Sequence, residues 1–433
     1  MRSIALLGGL LIACGGGGAA GDDQSGDGGV AGDGADIDAP PTGPVTVTVR
    51  DVLGPRAGVR IVFQAADSSL VADSTTDAAG KASAMVPPGG FVTAVEAFGP
   101  GQGTLRTIAG VQPGDQLLVQ LVPPGPPVTQ LMLTLPRDPT AGVNGYAIAS
   151  RLGSLTLTPP AGTGPFTVPL SAPSGDQDLA IMSMAGSHAI GAFYVEHAAL
   201  VANGILDLSS RTYSAIAPTT YTFTHPPLGS GTFVISRQSS AGVELTDLTI
   251  GSHHDPAVFD VMMPAVPTIA HEVARLVANS PKTYDISVWS AGPLATTDLD
   301  GRLPDLTAGG YDATTHRYTW TGTGAAVTFA TSTFTVQRSG GSNPWIWAIL
   351  APGDPSGVTW PLLPADLATY NPIATDTITG VMWASSTSGV SYNQIRRNGV
   401  LASRDYAAPM LGRLVFGGVL PDSGFSAAQR LDF

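Results

Sequence analysis

Val45, Val47 and Val49 alternate with Thr46 and Thr48, and a period of two is what a half-buried strand requires. The same kind of short run recurs along the chain, each closed by Gly, Pro, Asp or Ser, the residues that turn a backbone. Between 45 and 122, runs such as "VRIVFQA", "TLRTIAGV" and "DQLLVQLV" predict a seven-strand unit with turns at Ala79-Gly80 and Pro88-Gly89-Gly90. A strand and turn every 8–12 residues or so is the rhythm of a β-sandwich. "PPGPP" (123–127) reads as a stiff linker. A second stretch, 128–265, carries "VTQLMLTLP", "DLAIMSM", "GTFVISRQ" and further candidate strands, and a third runs from 266 to 433.

Helical periodicity is scarce. In the second stretch no 3.6-residue apolar period lasts for twelve residues. "TIAHEVARLVAN" (268–279) fits both periods, and its neighbours favour a strand. "LPADLATY" (363–370) predicts one helical turn, with Pro364 at its start and Asp366 in the first turn. "SYNQIRRNG" reads as a strand. The pattern predicts an all-β fold of tandem antiparallel β-sandwich domains with very little helix.

The first residues follow another logic. Residues 4–13, "IALLGGLLIA", are ten apolar positions after Arg2. Ten are too few to span a bilayer as a helix, which takes about 20, and fit the apolar core of a secretory signal. The run closes in Leu11-Ile12-Ala13-Cys14, which resembles the lipobox of bacterial lipoproteins. That resemblance implies removal of residues 1–13, a lipid on Cys14, and attachment to a membrane without a transmembrane helix. Cys14 is the one cysteine, so neither a disulfide nor a paired-cysteine metal motif is available within the chain. Residues 15–44 are rich in Gly and hold six aspartates and no Lys or Arg. With few side chains to bury they are expected to form a disordered tether, spanning roughly 30 Å as a Gly-rich coil. "GDGGVAGDGAD" lacks the regular nine-residue period of Gly-Asp calcium repeats.

Two further resemblances concern the folded part. "TDAAGKA…VPPGG" (76–90) resembles bacterial Ig-like and carboxypeptidase-regulatory-like modules, which implies an Ig-like sandwich over 45–122 serving as spacer or binding platform. "DLAIMSM", "GAFYVEH" and "WPLLPADLATYNP" resemble stretches of lipoproteins of unassigned function from myxobacterium-like bacteria. That family brings no reaction with it.

Composition narrows the function. Hydrophobic residues make up 43% and charged residues 12%, the latter about half the usual ~25%. The net charge is −13, and −7 once the tether aspartates are set aside. With no basic cluster to neutralise phosphates, nucleic acid is excluded as a partner.

Four groups of residues invite chemistry. Trp345 and Trp347 are two apart and share a face of a strand; they fill a core or, if exposed, stack a glycan or peptide ligand. His253, His254 and Asp255 in "GSHHDP", with His271 and Glu272 sixteen residues on, are zinc-compatible donors in no zinc-binding spacing. Asp298 and Asp300 could chelate calcium or simply line a polar hairpin. "GSHAIG" and "GDPSG" approach the nucleophile elbow G-x-S-x-G in letters only, and no phosphate-binding or dinucleotide-binding motif occurs. No cofactor is expected. The reading is a non-enzymatic lipoprotein exported across the inner membrane and anchored in the cell envelope, at the outer membrane or cell surface. There it presents β-sandwiches for adhesion or glycan or peptide binding, or as a spacer. The rival is a metal-assisted hydrolase built on His253, His254 and His271.

Overall fold

All three valines of the first alternation are buried in the strand Val45–Asp51. The computed structural model describes residues 43–51, 54–99, 102–121, 129–150, 153–172, 175–186, 188–227, 229–239, 244–262, 269–279, 281–291, 294, 296–340, 344–354, 356–398, 400–401 and 423–432. Cys14, residues 15–42 of the tether, the linker 123–127 and the expected strand "GRLVFGGVLP" lie outside them. Among the described residues the chain is all-β, with one 3-10 helix and one short α-helix beside its strands.

The first stretch splits between two sheets. Val45–Asp51 pairs parallel with Gln116–Gln120 and antiparallel with Lys81–Ala84, in register Val45 to Ala84. The other layer contains Arg60–Gln64, Gly90–Gly99 and Gln102–Val111. Their facing side chains, among them Val47, Leu117, Phe63 and Ile108, make one core. Trp289, Phe329, Leu350 and Tyr392, from much later in the chain, belong to the same core.

Its second layer does not stop there. Gln102–Val111 pairs parallel with Trp345–Pro352, which continues through Phe329–Gln337, Thr377–Ser388, Ser423–Asp432, Thr283–Ser290 and Ile269–Asn279 to Gly229–Ser239 and Glu244–His253. Twelve strands join in this long sheet. It takes strands from all three stretches, so the boundaries drawn at 122/128 and 265/266 are not sheet edges. Linkers show where the chain turns away, whereas pairing depends on which edges later meet. "TIAHEVARLVAN" is a strand, Ile269–Asn279, as its neighbours suggested.

The long sheet is covered on its other side by two smaller groups. Near one end Pro304–Asp312, Arg317–Gly324 and Gly357–Thr359 supply Tyr318, Trp320 and Val358 to an aromatic core. Towards the other end Tyr221, Phe223, Phe259 and Met182 pack against Phe233, Leu276 and Ile286. A fourth core lies wholly inside the second stretch, between Thr129–Leu135 with Phe166–Ala172 on one side and Gly145–Ser150 with Gly175–Ala185 on the other.

The helical segments correct one expectation. Ala365–Tyr370 forms the 3-10 turn, with Pro364 as its cap and Asp366 in the first turn. "SYNQIRRNG", expected as a strand, is instead the α-helix Tyr392–Asn398, here α1. Ser391 and Gln394 close a capping box: the Gln394 N–H donates to Ser391 Oγ at 3.3 Å and the Ser391 N–H to Gln394 Oε1 at 2.8 Å. S-x-x-Q was the signal, and it outweighed the strand-rich surroundings.

Candidate functional site

Trp345 and Trp347 point the same way from one strand, as their spacing required, but into the core. Both are almost fully buried, which removes the exposed platform that ligand stacking needs. Trp347 lies 5.3 Å from Trp360, and Trp345 6.1 Å from Tyr370, ring centre to ring centre. The cause is the covering layer: Tyr318, Trp320 and Val358 lie on the face where these indoles emerge. Arg338 sits over the Trp345 ring at 5.2 Å and is itself bonded to Asp376.

The histidine group does not converge either. His253 pairs with Gly229 and His271 with Gln238 on the same intervening strand. Nine positions at about 3.3 Å each put the two backbones roughly 30 Å apart, whereas the ligands of a zinc ion must each come within about 2 Å of it. Glu272 is buried, accepting from Arg237 Nε at 2.7 Å and from the Leu294 N–H at 3.0 Å. His254 is exposed. Among the described residues no group of three or more His, Cys, Asp or Glu could hold a metal ion. The hydrolase reading fails on this geometry.

Asp255 and Asp298 do meet, around a residue the sequence did not single out. The His225 N–H donates to Asp255 Oδ1, and His225 Nδ1 lies 2.9 Å from Asp298 Oδ1. Asp298 also accepts from Thr224 Oγ1 and from the Asp300 N–H. Those hydrogen bonds, His225 first, bring the Asp298 carboxyl down to about 2, and the same contact raises the His225 imidazole. The cluster closes the end of a parallel pairing between Pro218–Thr224 and Thr296–Asp298, in register Thr224 to Asp298. It joins the second and third stretches. Its signal in the sequence was faint, since His225 stands 73 residues from Asp298.

Ser183 and Asp138 form the other polar pair of note. The Ser183 hydroxyl donates to Asp138 Oδ2 at 2.5 Å, and Ser183 is fully buried. Gly191 seals it: a Cβ there would stand 2.7 Å from Ser183 Oγ and 2.6 Å from Asp138 Oδ2. With no room for a reacting carbonyl, the pair ties the loop after Thr129–Leu135 to the strand Gly175–Ala185.

Among the described residues the other buried charges are paired. Arg275 bonds Asp285 through Nε at 2.7 Å, and burial raises that carboxyl against the pull of Arg275. Asp115 is fully buried and faces both Arg396 (2.6 Å) and Arg397 (2.8 Å) of α1. These arrangements fix strands and the helix in place; none presents an activated group to solvent.

No protein-family model matches the chain, and no curated protein matches it. Solved structures that overlap it are a Bacillus anthracis TIE protein (12% identity, 60% of this chain and 50% of that one, TM-score 0.16) and an Antarctic bacterium's Ca2+-stabilised adhesin that binds ice (11%, 81% and 96%, TM-score 0.13). A third is a streptococcal ancillary pilin (11%, 59% and 98%, TM-score 0.15). This chain spans about half the length of the TIE protein structure. Overlaps this slight carry no argument about the molecule.

Proposed function

We propose that this chain is a non-enzymatic lipoprotein of the cell envelope, hooked to a membrane by a lipid on Cys14 and displaying a stiff β body at the surface. One observation carries the reading: the ten-residue apolar run closing in Leu11-Ile12-Ala13-Cys14, followed by an acidic glycine tether. Among the described residues no helix is long and apolar enough to cross a membrane. Of the roles open to such a protein, structural display has the most support. The long sheet joins all three stretches through shared edges, and buried ion pairs fix its parts, which suits a spacer. Stacking of a glycan or peptide on Trp345 and Trp347 has lost its surface.

The test is mass spectrometry of the residue-14 peptide from membrane fractions, alongside Cys14→Ala. The expected result is a diacylglyceryl adduct on Cys14 and release of the variant into the soluble fraction. Unchanged membrane retention of Cys14→Ala overturns the reading.

A further inference from the structure

Ten large hydrophobic side chains stand exposed among the described residues, and four of them share one end of the molecule. Met85 is 65% exposed, Leu70 52%, Leu362 42% and Val71 36%. They come from three separate segments, so their meeting is a product of the fold.

The hydrogen bonds define this end. The Gly114 N–H donates to the Gly43 carbonyl at 3.2 Å, which fixes where the chain joins the first sheet. Val45 pairs with Ala84, so Met85 is the next residue beyond the sheet on that side. The Gly89 N–H reaches the Val111 carbonyl at 2.8 Å, placing the exposed Pro87 and Pro88 there too. A Cβ at Gly89 would lie 3.7 Å from Ala66 Cβ, which brings in the turn before Leu70. Leu362 is held to that turn: its N–H donates to Ser68 Oγ at 3.1 Å, and its carbonyl accepts from Gln64 Nε2. Formal charge nearby is small and mixed. Asp67 turns its carboxylate to the Ser69 N–H at 2.9 Å, and Arg397 of α1 is held at Asp115.

We propose that this end is a membrane seat: Met85, Leu70, Val71 and Leu362 rest in the interface of the lipid layer to which the chain is hooked. The inference rests on the anchor reading. That reading supplies the occupant: thirty residues separate Cys14 from Val45, and the described chain starts at Gly43, so the tie to the lipid enters the body at this end. The loops beside Gly43 are therefore the part of the body next to that tie. Apolar side chains gain by leaving water in proportion to their area, here two at the start of the strand Leu70–Thr75 and two in loops. One lipid hook plus an apolar seat holds an orientation that a hook alone does not. Of the other exposed positions, Ile205 and Met132 lie side by side on the second stretch, and Ile373 follows Asn371, whose side chain bonds the backbone of Leu363 next to Leu362.

The experiment uses the lipidated protein in phosphatidylcholine/phosphatidylglycerol vesicles doped with nitroxide lipids. A fluorophore is placed on Met85→Cys or, as control, on Ile205→Cys. The expected result is quenching severalfold stronger at 85 than at 205, reduced when Leu70→Asp and Leu362→Asp are added. Equal quenching at both sites, with Cys14 shown by mass to be acylated, overturns the seat and leaves the anchor standing. An unacylated Cys14 removes the anchor and the seat with it. A quenching or emission change at 85 that vanishes below one protein per vesicle assigns the patch to a second copy and also overturns the proposal.

Discussion

Trp347 donates its indole N–H to Thr107 Oγ1 at 2.8 Å, across 240 positions of sequence. Thr107 in turn lies 2.8 Å from Thr93 Oγ1. Both ends of the bond are buried, so Thr107→Val strands an indole N–H away from water. The expected loss is about 1–3 kcal/mol, read by denaturant unfolding. Trp347→Phe combined with Thr107→Val should cost less than the two changes summed, because neither partner is then left unpaired. Strict additivity would deny the bond.

Asp115 holds α1 to the first sheet. Replacing it by Asn leaves Arg396 buried opposite a neutral group, and breaking a buried ion pair from one side costs about 3–5 kcal/mol. Asp115→Asn should lower the melting temperature and open the α1 region to limited proteolysis. Arg397→Gln should do much less, since Arg397 is half exposed while Arg396 is not. Equal effects from the two changes would contradict this division.

Gly424 faces Trp289 in register, and a methyl group there would overlap the indole ring. Gly424→Ala should therefore destabilise by about 1–3 kcal/mol through overpacking. Trp289→Leu, which clears the space, should make the alanine better tolerated. A thermal-melt comparison of the single and double variants decides it.

The His225–Asp298 contact predicts a pH window. His225 has its imidazole raised above the ordinary value near 6.5, chiefly by Asp298, with Asp255 and Asp300 adding to the field. Its contribution to stability is complete below about 6.5 and is lost as pH rises through the raised value. The Asp298 carboxyl, at about 2, contributes fully above about 3.9 and loses its share as pH falls toward 2. Both terms act together between roughly pH 4 and 6.5. An NMR titration of His225 should move its midpoint down in Asp298→Asn; an unmoved midpoint refutes the pairing.

Strands were legible because the side chain itself reports them. The Val45–Val49 alternation and the apolar positions of "TIAHEVARLVAN" encode which face is buried, and the structure follows. Helix α1 carries its own local signal, S-x-x-Q at Ser391, four residues that the strand-rich surroundings hid. What one chain cannot display is which edge meets which. Nothing in Gln102–Val111 announces Trp345–Pro352 as its partner, since pairing uses backbone groups that every residue carries. The same limit governed the candidate sites. Trp345 and Trp347 share a face in any strand, but only the covering layer makes that face an interior. His253 and His271 are eighteen positions apart in sequence and pair with opposite ends of the strand between them.

The parallel pairing of Gln102–Val111 with Trp345–Pro352 also sets a timetable. At synthesis rates of 5–20 residues per second, the partner of the earlier strand emerges roughly ten to fifty seconds after it. For that interval Gln102–Val111 carries an open edge, and exposed edges invite pairing with the wrong chain. The capping helix and its two arginines arrive later still. The first part of this protein to be made is thus among the last to be finished, and a holdase that shields it in the meantime should raise the yield of folded protein.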